Sequence, residues 1–171
     1  GSQRVIRNNL IRKSDLPNYP WHLLTMERYI RDDVTINDRT LGYISSQGCP
    51  YRCQFCYEFG AYNAWWSGFK ASQILGDISH LVNEYGINGV KFYDADFFVN
   101  PRRVSEFCDG LIEKQLNISW AGSANPHDIL RMDKRYPGLL EKIKSTNCTR
   151  VLIGLESGSN KILELINKKI T

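Results

Sequence analysis

Three of the five cysteines lie within eight residues, in the run from Gly48 to Tyr57 (GCPYRCQFCY), and their spacing is Cx3Cx2C. Three thiolates from one short loop can bind three irons of a cubane iron–sulfur cluster, which usually takes four cysteines. The other two, Cys108 and Cys148, belong to a predicted helix and to the approach to a predicted strand. One iron would therefore lack a protein ligand, and an open coordination position is typical of a catalytic metal site.

Other uses of this loop fit the sequence less well than a cluster does. A structural zinc site prefers four ligands, usually as two pairs of Cys or His, and the second pair is missing here. Five cysteines are too few, and odd in number, for a disulfide framework. A redox pair formed by Cys53 and Cys56 would leave Cys49 unexplained. A non-catalytic module that binds zinc or an iron–sulfur cluster, or that serves an interaction, stays open as the alternative function.

The cysteine run resembles the signature of the radical SAM superfamily, including the aromatic residues Phe55 and Tyr57 that flank the third cysteine. This resemblance implies that Cys49, Cys53 and Cys56 bind a 4Fe–4S cluster, and that S-adenosylmethionine chelates the open iron. It also implies an enzyme that cleaves this cofactor reductively to a 5′-deoxyadenosyl radical, which abstracts a hydrogen atom from a small-molecule substrate. The electron would come from a flavodoxin- or ferredoxin-type donor.

Composition sets broad limits on the class of protein. A chain of 171 residues with 42% hydrophobic and 23% charged residues is typical of one globular domain. The net charge of +4 is spread along the chain, so nothing indicates a nucleic-acid partner. No apolar run approaches the ~20 residues that span a bilayer, so we expect no membrane partner. Free cysteines without a secretory segment predict a cytoplasmic protein.

Strand-like and helix-like segments alternate from residue 40 onward. The predicted strands are Thr40–Ser46, Gly89–Tyr93, Asn117–Gly122 and Thr149–Leu155. Asn100-Pro101 and Asn125-Pro126 are N-cap and first-position pairs that open two of the helices. The order βαβαβαβα with short loops predicts a parallel sheet with right-handed crossovers. We therefore expect an α/β fold, namely a partial TIM-type (β/α) barrel of about four units that is truncated at both ends.

The predicted domain organisation divides the chain in two. Residues 1–39 would form a connector with a short helix at His22–Tyr29, and residues 40–171 would form the radical SAM core. The strand Thr149–Leu155 is apolar throughout, which is typical of a strand covered on both faces. It would also be the last strand of the sheet, so its free edge predicts self-association.

Two further loops at the carboxyl ends of the predicted strands carry polar residues, where barrel enzymes place their chemistry. The segment Phe92–Phe97 resembles the F-x-D-D-x-F element of cobalamin-binding radical SAM enzymes, which implies that Asp94 lies beside the amino group of S-adenosylmethionine. The second aspartate of that element is Ala95 here. The segment Gly154–Ser159 resembles a G-[IVL]-E-S-G-S element, which implies that Glu156 and Ser157 contact the cofactor's ribose.

The stretch Pro17–Tyr29 resembles the segment that joins a cobalamin-binding domain to the barrel in the family of anaerobic cyclases and methyltransferases. The resemblance implies cobalamin as a cofactor of the full-length protein, with methyl transfer through cobalamin as a reaction of that protein.

Overall fold

The computed structural model describes residues 10–168 and 170. Its main element is a mostly parallel sheet with helices in its crossovers. The strands are β1 (Ile30–Asp33), β2 (Asn37–Tyr43), β3 (Ser46–Gly48), β4 (Trp66–Gly68), β5 (Gly89–Phe92), β6 (Ser119–Ala124) and β7 (Cys148–Ile153). The helices are α1 (Tyr57–Tyr62), α2 (Ala71–Tyr85), α3 (Pro101–Glu113), α4 (Pro126–Arg135), α5 (Leu139–Ser145) and α6 (Asn160–Leu165).

The main sheet has the strand order β1-β2-β5-β6-β7. β2, β5, β6 and β7 are parallel, and β1 pairs with β2 in the antiparallel direction. β3 and β4 form a separate two-stranded ribbon beside the cysteine loop. The parallel order of four strands with helical crossovers confirms the predicted α/β class and is consistent with a partial barrel.

The core lies between one face of the sheet and the helices. Leu41, Val90 and Trp120 are in register across three strands and are at most 3% exposed. The ring of Trp120 lies 5.4 Å from that of Phe107 and 5.5 Å from that of Phe97, so aromatic contacts join β6 to α3 and to the loop after β5. Burial of such rings is the main stabilising contribution of this layer.

The predicted helix caps are confirmed. The side chain of Asn100 accepts hydrogen bonds from the backbone N–H groups of Arg102 and Arg103, and that of Asn125 accepts one from His127. Between α4 and α5 the chain breaks at Pro137-Gly138. Among the described residues, no helix combines the length and the apolar character that crossing a lipid bilayer requires.

The predicted helix at His22–Tyr29 is wrong. Two single 3₁₀ turns, Trp21–Leu23 and Met26–Arg28, replace it. Thr25, between the turns, lies outside the helical region, with φ −78° and ψ 84°. This break lets Met26 enter the core, where it is 3% exposed, while the ring of Trp21 packs on Tyr43 at 6.0 Å.

The N-terminal segment also contributes a strand that the sequence pattern did not indicate. β1 has the sequence IRDD, which lacks apolar alternation because it is an edge strand. β1 and the first residues of β2 lie before residue 40, yet they belong to the sheet. The division into residues 1–39 and 40–171 stays a prediction, and residues 1–9 lie outside the described part of the chain.

β7 lies at the edge of the sheet, as predicted. The expected cover on both faces is wrong, since Leu152 and Ile153 are 49% and 43% exposed. The physical reason is that β7, within the described residues, pairs with β6 on one side and ends beside an open cavity. Self-association through this edge stays a prediction.

Candidate metal and cofactor site

The cysteine loop runs from β3 to α1 and follows a tight turn at Gly48. That glycine has φ 76°, and a Cβ atom there would lie 2.1 Å from the carbonyl oxygen of Trp65. Only glycine fits both the left-handed backbone and this close approach. The contact between Gly48 and Trp65 therefore fixes the direction in which the loop leaves the β3–β4 ribbon.

The carboxylate of Asp94 holds the segment that leads into this loop. It accepts hydrogen bonds from Ser45 N–H at 2.6 Å, Ser45 Oγ at 2.5 Å and Ser46 Oγ at 2.7 Å. Arg103 lies 3.5 Å away as its ion-pair partner, and burial lowers the pKa of this guanidinium while Asp94 raises it. All four residues are buried. The side chain of Asp94 is therefore not free to make the predicted contact with a cofactor. It instead joins the end of β5 to the segment that leads into the cysteine loop.

A cavity of about 340 Å³ opens at the carboxyl ends of the four parallel strands, where all four loops meet. Its lining includes five of the predicted site residues: Cys49, Cys53, Phe55, Cys56 and Glu156. The structure does not bring the other three to its wall. Asp94 is buried behind it, Tyr57 is 77% exposed at the start of α1, and Ser157 Oγ accepts a hydrogen bond from Ser159 N–H at 3.1 Å.

The thiols of Cys49, Cys53 and Cys56 are free. Burial raises the pKa of Cys49 to about 12, and it also raises the pKa of Cys53, although the positive charge of Lys168 opposes that shift. Thiolate ligation therefore needs a compensating positive charge in the cavity, which a bound metal supplies.

The donor set fits a cluster held by three thiolates. Among residues 10–168 and 170, no three Cys, His, Asp or Glu side chains come close enough together to bind a single metal ion. A cubane requires no such convergence, because each thiolate binds a different iron. Three thiols around one cavity satisfy that requirement, so Cys49, Cys53 and Cys56 could hold the cluster and leave one iron for a further ligand.

Asp96 is a cavity residue that the resemblance did not assign. Its Oδ1 accepts a hydrogen bond from Phe98 N–H and its Oδ2 accepts one from Asn125 N–H, both at 2.9 Å. Burial, and then the neighbouring carboxyl of Asp128, raise the pKa of Asp96 well above its usual range. The sequence showed an acidic residue after Ala95, but only the fold shows that this carboxyl, rather than Asp94, reaches the cavity.

Asp128, in the first turn of α4, belongs to a small polar group beside Tyr51 of the cysteine loop. It pairs with Arg131 at 2.6 Å, one turn further along α4. Burial, and then the neighbouring carboxylate of Asp128, raise the pKa of Tyr51, which lies within the cysteine loop. The ring of His127 packs edge-on against Tyr51 with 6.4 Å between centroids. α4 therefore supports the loop from one side.

Lys168 also lines the cavity, although no motif in the sequence indicated it. It follows α6, is 8% exposed, and lies with its Nζ atom 3.3 Å from Oε1 of Glu156. Glu156 has a left-handed backbone with φ 61°, which turns the chain back toward the cavity after β7. The cavity wall thus carries a carboxylate and an ammonium group in contact.

A separate cavity of about 410 Å³ lies over β1, β2 and β5, away from the cysteines. Its charged residues include Asp33 and Lys91, which pair with each other at 3.5 Å. None of the predicted site residues lines this second cavity.

A parallel α/β sheet with a cysteine-lined cavity at the carboxyl ends of its strands defines a metal-cofactor enzyme core. The profile of the radical SAM superfamily matches residues 43–171, which is well over half of the chain. The chain belongs to the radical SAM superfamily, whose cofactors are a 4Fe–4S cluster and S-adenosylmethionine. This membership does not favour the alternative of a non-catalytic module.

Two curated relatives extend the comparison. The chain is 30% identical over 157 residues to an uncharacterized methyltransferase of Pyrococcus horikoshii, an alignment that covers 92% of this chain and 32% of the relative. It is 25% identical over 154 residues to the anaerobic magnesium-protoporphyrin IX monomethyl ester cyclase of Rubrivivax gelatinosus, with 88% and 26% covered. The chain thus spans about a third or less of the length of these relatives.

A solved structure supports the fold. The cobalamin-dependent S-adenosylmethionine radical enzyme OxsB, with aqua-cobalamin and S-adenosylmethionine bound, superimposes with a TM-score of 0.63. The match covers 78% of this chain and 20% of that one at 22% identity. This likeness supports the predicted partial barrel.

Proposed function

We propose that this chain is the cofactor-binding core of a radical S-adenosylmethionine enzyme. Cys49, Cys53 and Cys56 bind the cluster, and the open iron takes S-adenosylmethionine. When bound, the cluster supplies the electron that cleaves the sulfonium to a 5′-deoxyadenosyl radical. The single observation that carries the proposal is that all three cysteines of the Cx3Cx2C run line the same cavity as Glu156.

Residues of this chain would bind and orient S-adenosylmethionine in the cavity. We propose that the carboxylate of Glu156, which lines the cavity, accepts hydrogen bonds from ribose hydroxyl groups. Phe55, which is 55% exposed on the cavity wall, offers an apolar surface. The side chains of Tyr57 and Ser157 do not line the cavity. Their predicted contacts with the cofactor would require a rearranged loop or further parts of the full-length protein. Asp94 would act through the loop, or through its backbone.

The full-length protein would use these cofactors on a small-molecule substrate. The names of the relatives support methyl transfer or ring closure as the reaction, with cobalamin as a further cofactor outside this chain. Reduction of the cluster requires a one-electron donor, for which we propose a flavodoxin or ferredoxin. Five free cysteines support a reducing compartment, so we propose a cytoplasmic location.

The test is anaerobic reconstitution with iron and sulfide, followed by addition of S-adenosylmethionine and dithionite. We expect an EPR signal that changes when S-adenosylmethionine binds, and release of 5′-deoxyadenosine. The matched control is the Cys49→Ala/Cys53→Ala/Cys56→Ala variant, which should show neither. A spectrum that does not respond to S-adenosylmethionine, or stoichiometric zinc in the purified protein, would contradict the proposal.

A further inference from the structure

The cysteine loop makes few regular backbone hydrogen bonds of its own. Within it, Cys56 N–H donates to the Cys53 carbonyl at 3.1 Å, which closes a local turn. Gln54 N–H instead donates to the carbonyl of Ile166 at 3.0 Å, at the end of α6. This contact joins two segments that lie far apart in sequence.

Asn167, the next residue, makes a second bond to the same loop. Its Nδ2 donates to the carbonyl of Arg52 at 2.7 Å, across 115 residues of sequence. Asn167 has φ 53°, a left-handed conformation that asparagine adopts more readily than most residues. The two bonds hold the residues on either side of Cys53, so they restrain the position of that thiol.

Lys168 completes the segment and carries its charge into the cavity. Its backbone N–H donates to the Leu163 carbonyl at 2.8 Å, and its Nζ atom pairs with Glu156. A Cβ atom on Gly154 would lie 3.2 Å from this Nζ atom and 2.6 Å from Oε1 of Glu156. The ammonium group therefore lies against bare backbone, in a place that a side chain at position 154 would occupy.

We propose that the turn Ile166–Lys168, here called the α6 clamp, positions the cysteine loop, and that Lys168 supplies the positive charge that balances the cluster bound there. This inference rests on the proposed function, because it concerns the cluster. Reduction adds a negative charge to the cluster. A buried cation in the same cavity stabilises the reduced form and raises the reduction potential, since net charge is one of the factors that set that potential.

The charge is tested by a potentiometric titration of the reconstituted cluster, followed by EPR. Lys168→Met keeps the length of the side chain and removes the charge, and we expect a lower reduction potential. Lys168→Arg keeps the charge, so its cluster should have a reduction potential close to that of the wild type. Lys91→Met is the matched control, because Lys91 also pairs with one carboxylate, that of Asp33, but lies over the other cavity. The cluster potential in this variant should equal that of the wild type. Equal potentials for Lys168→Met and the wild type would overturn the role of the charge.

The restraint is tested by the rate at which a chelator removes iron from the reconstituted protein. Asn167→Gly removes the amide while glycine still accepts the left-handed backbone. Loss of about 1 kcal/mol of hydrogen bonding predicts roughly fivefold faster iron loss. Asn147→Gly is the control: Asn147 is also left-handed, with φ 58°, and its side chain bonds Asn117 instead of the loop. Equal rates for both variants would overturn the restraint.

These experiments separate the two claims. If the wild-type protein forms no cluster, the proposed function fails and the clamp fails with it. If the wild type forms a cluster whose potential and iron loss are unchanged in Lys168→Met and Asn167→Gly, the clamp alone is wrong. Circular dichroism of each variant identifies one that has not folded. Lys168→Gln then replaces Lys168→Met in the test of the charge, and Asn167→Ala replaces Asn167→Gly in the test of the restraint.

Discussion

The aromatic core and the cysteine loop are held in place by different kinds of interaction. Trp120 is completely buried among aromatic rings from β5, from α3 and from the loop after β5. The cysteine loop is held by polar contacts from distant segments, namely the Asp94 network that leads into it and the hydrogen bonds from the end of α6. Apolar packing therefore supplies a stable platform, and directional hydrogen bonds place the thiols on it.

The largest effect should come from removing the centre of the platform. Trp120→Ala should lower the free energy of unfolding by about 3–5 kcal/mol, because it leaves a cavity among fully buried rings. Urea unfolding followed by circular dichroism measures this change. Tyr29→Ala is the control, since Tyr29 is 54% exposed and should change stability little. Similar losses for both variants would contradict the assignment of Trp120 to the centre of the core.

A smaller loss is expected when the approach to the loop is loosened. Asp94→Asn keeps the shape of the side chain but removes the charge that Arg103 and the two serines contact. We expect a loss of about 1.5–3 kcal/mol, the value for hydrogen bonds to a charged group. Asp38→Asn, at an exposed aspartate that accepts one hydrogen bond from Asn88, is the control in the same unfolding assay. Equal stability losses for both variants would contradict the role of the Asp94 network in holding this segment.

The loop after β7 should contribute to cofactor affinity rather than to the cluster. Glu156→Ala should weaken S-adenosylmethionine binding at least ~10-fold, since charge-assisted hydrogen bonds contribute about 1.5–3 kcal/mol. Calorimetric titration of the reconstituted protein measures the dissociation constant, and the cluster spectrum should not change. Glu164→Ala, on the exposed side of α6, should bind as the wild type does. An unaltered affinity in Glu156→Ala would contradict a contact between Glu156 and S-adenosylmethionine.

The smallest effect concerns pH. The folded-state pKa of Asp96 lies above its unfolded value, so its contribution to stability is complete below the ordinary aspartate pKa and is lost as pH rises through the raised pKa. Asp128→Asn removes the neighbouring charge, lowers the pKa of Asp96 and flattens this decline, by less than about 1.4 kcal/mol per pH unit. Urea unfolding of the cluster-free protein across pH measures the slope. Asp133→Asn on the same helix, where the residue is exposed, should leave it unchanged.

Local patterns predicted the parts of the fold that local chemistry determines. Asn100 and Asn125 cap their helices as expected. The turns near Trp21 and the charged strand β1 were missed because tertiary contacts, rather than periodicity, determine them. β3 and β4 are three residues long, which is too short for a pattern.

The site residues likewise fall into those that a local motif indicates and those that only the fold brings to the cavity. The cysteines and Glu156 belong to short motifs, so the sequence indicated them. Asp96 and Lys168 reach the cavity only because α4 and α6 fold against the loop. Asp94 matched a motif, yet its carboxylate lies in a buried network with Ser45 and Arg103. A motif identifies residue types in a loop, whereas the direction of each side chain depends on contacts across the whole chain.

The central claim is that the three cysteines of the loop, and not the other two, hold a 4Fe–4S cluster. The most direct test is the iron and sulfide content of five single Cys→Ala variants after anaerobic reconstitution. Wild type, Cys108→Ala and Cys148→Ala should each hold about four irons per chain. Cys49→Ala, Cys53→Ala and Cys56→Ala should each lose most of that iron. Full iron content in any of these three, or loss of iron in Cys108→Ala or Cys148→Ala while the variant stays folded, would contradict the account.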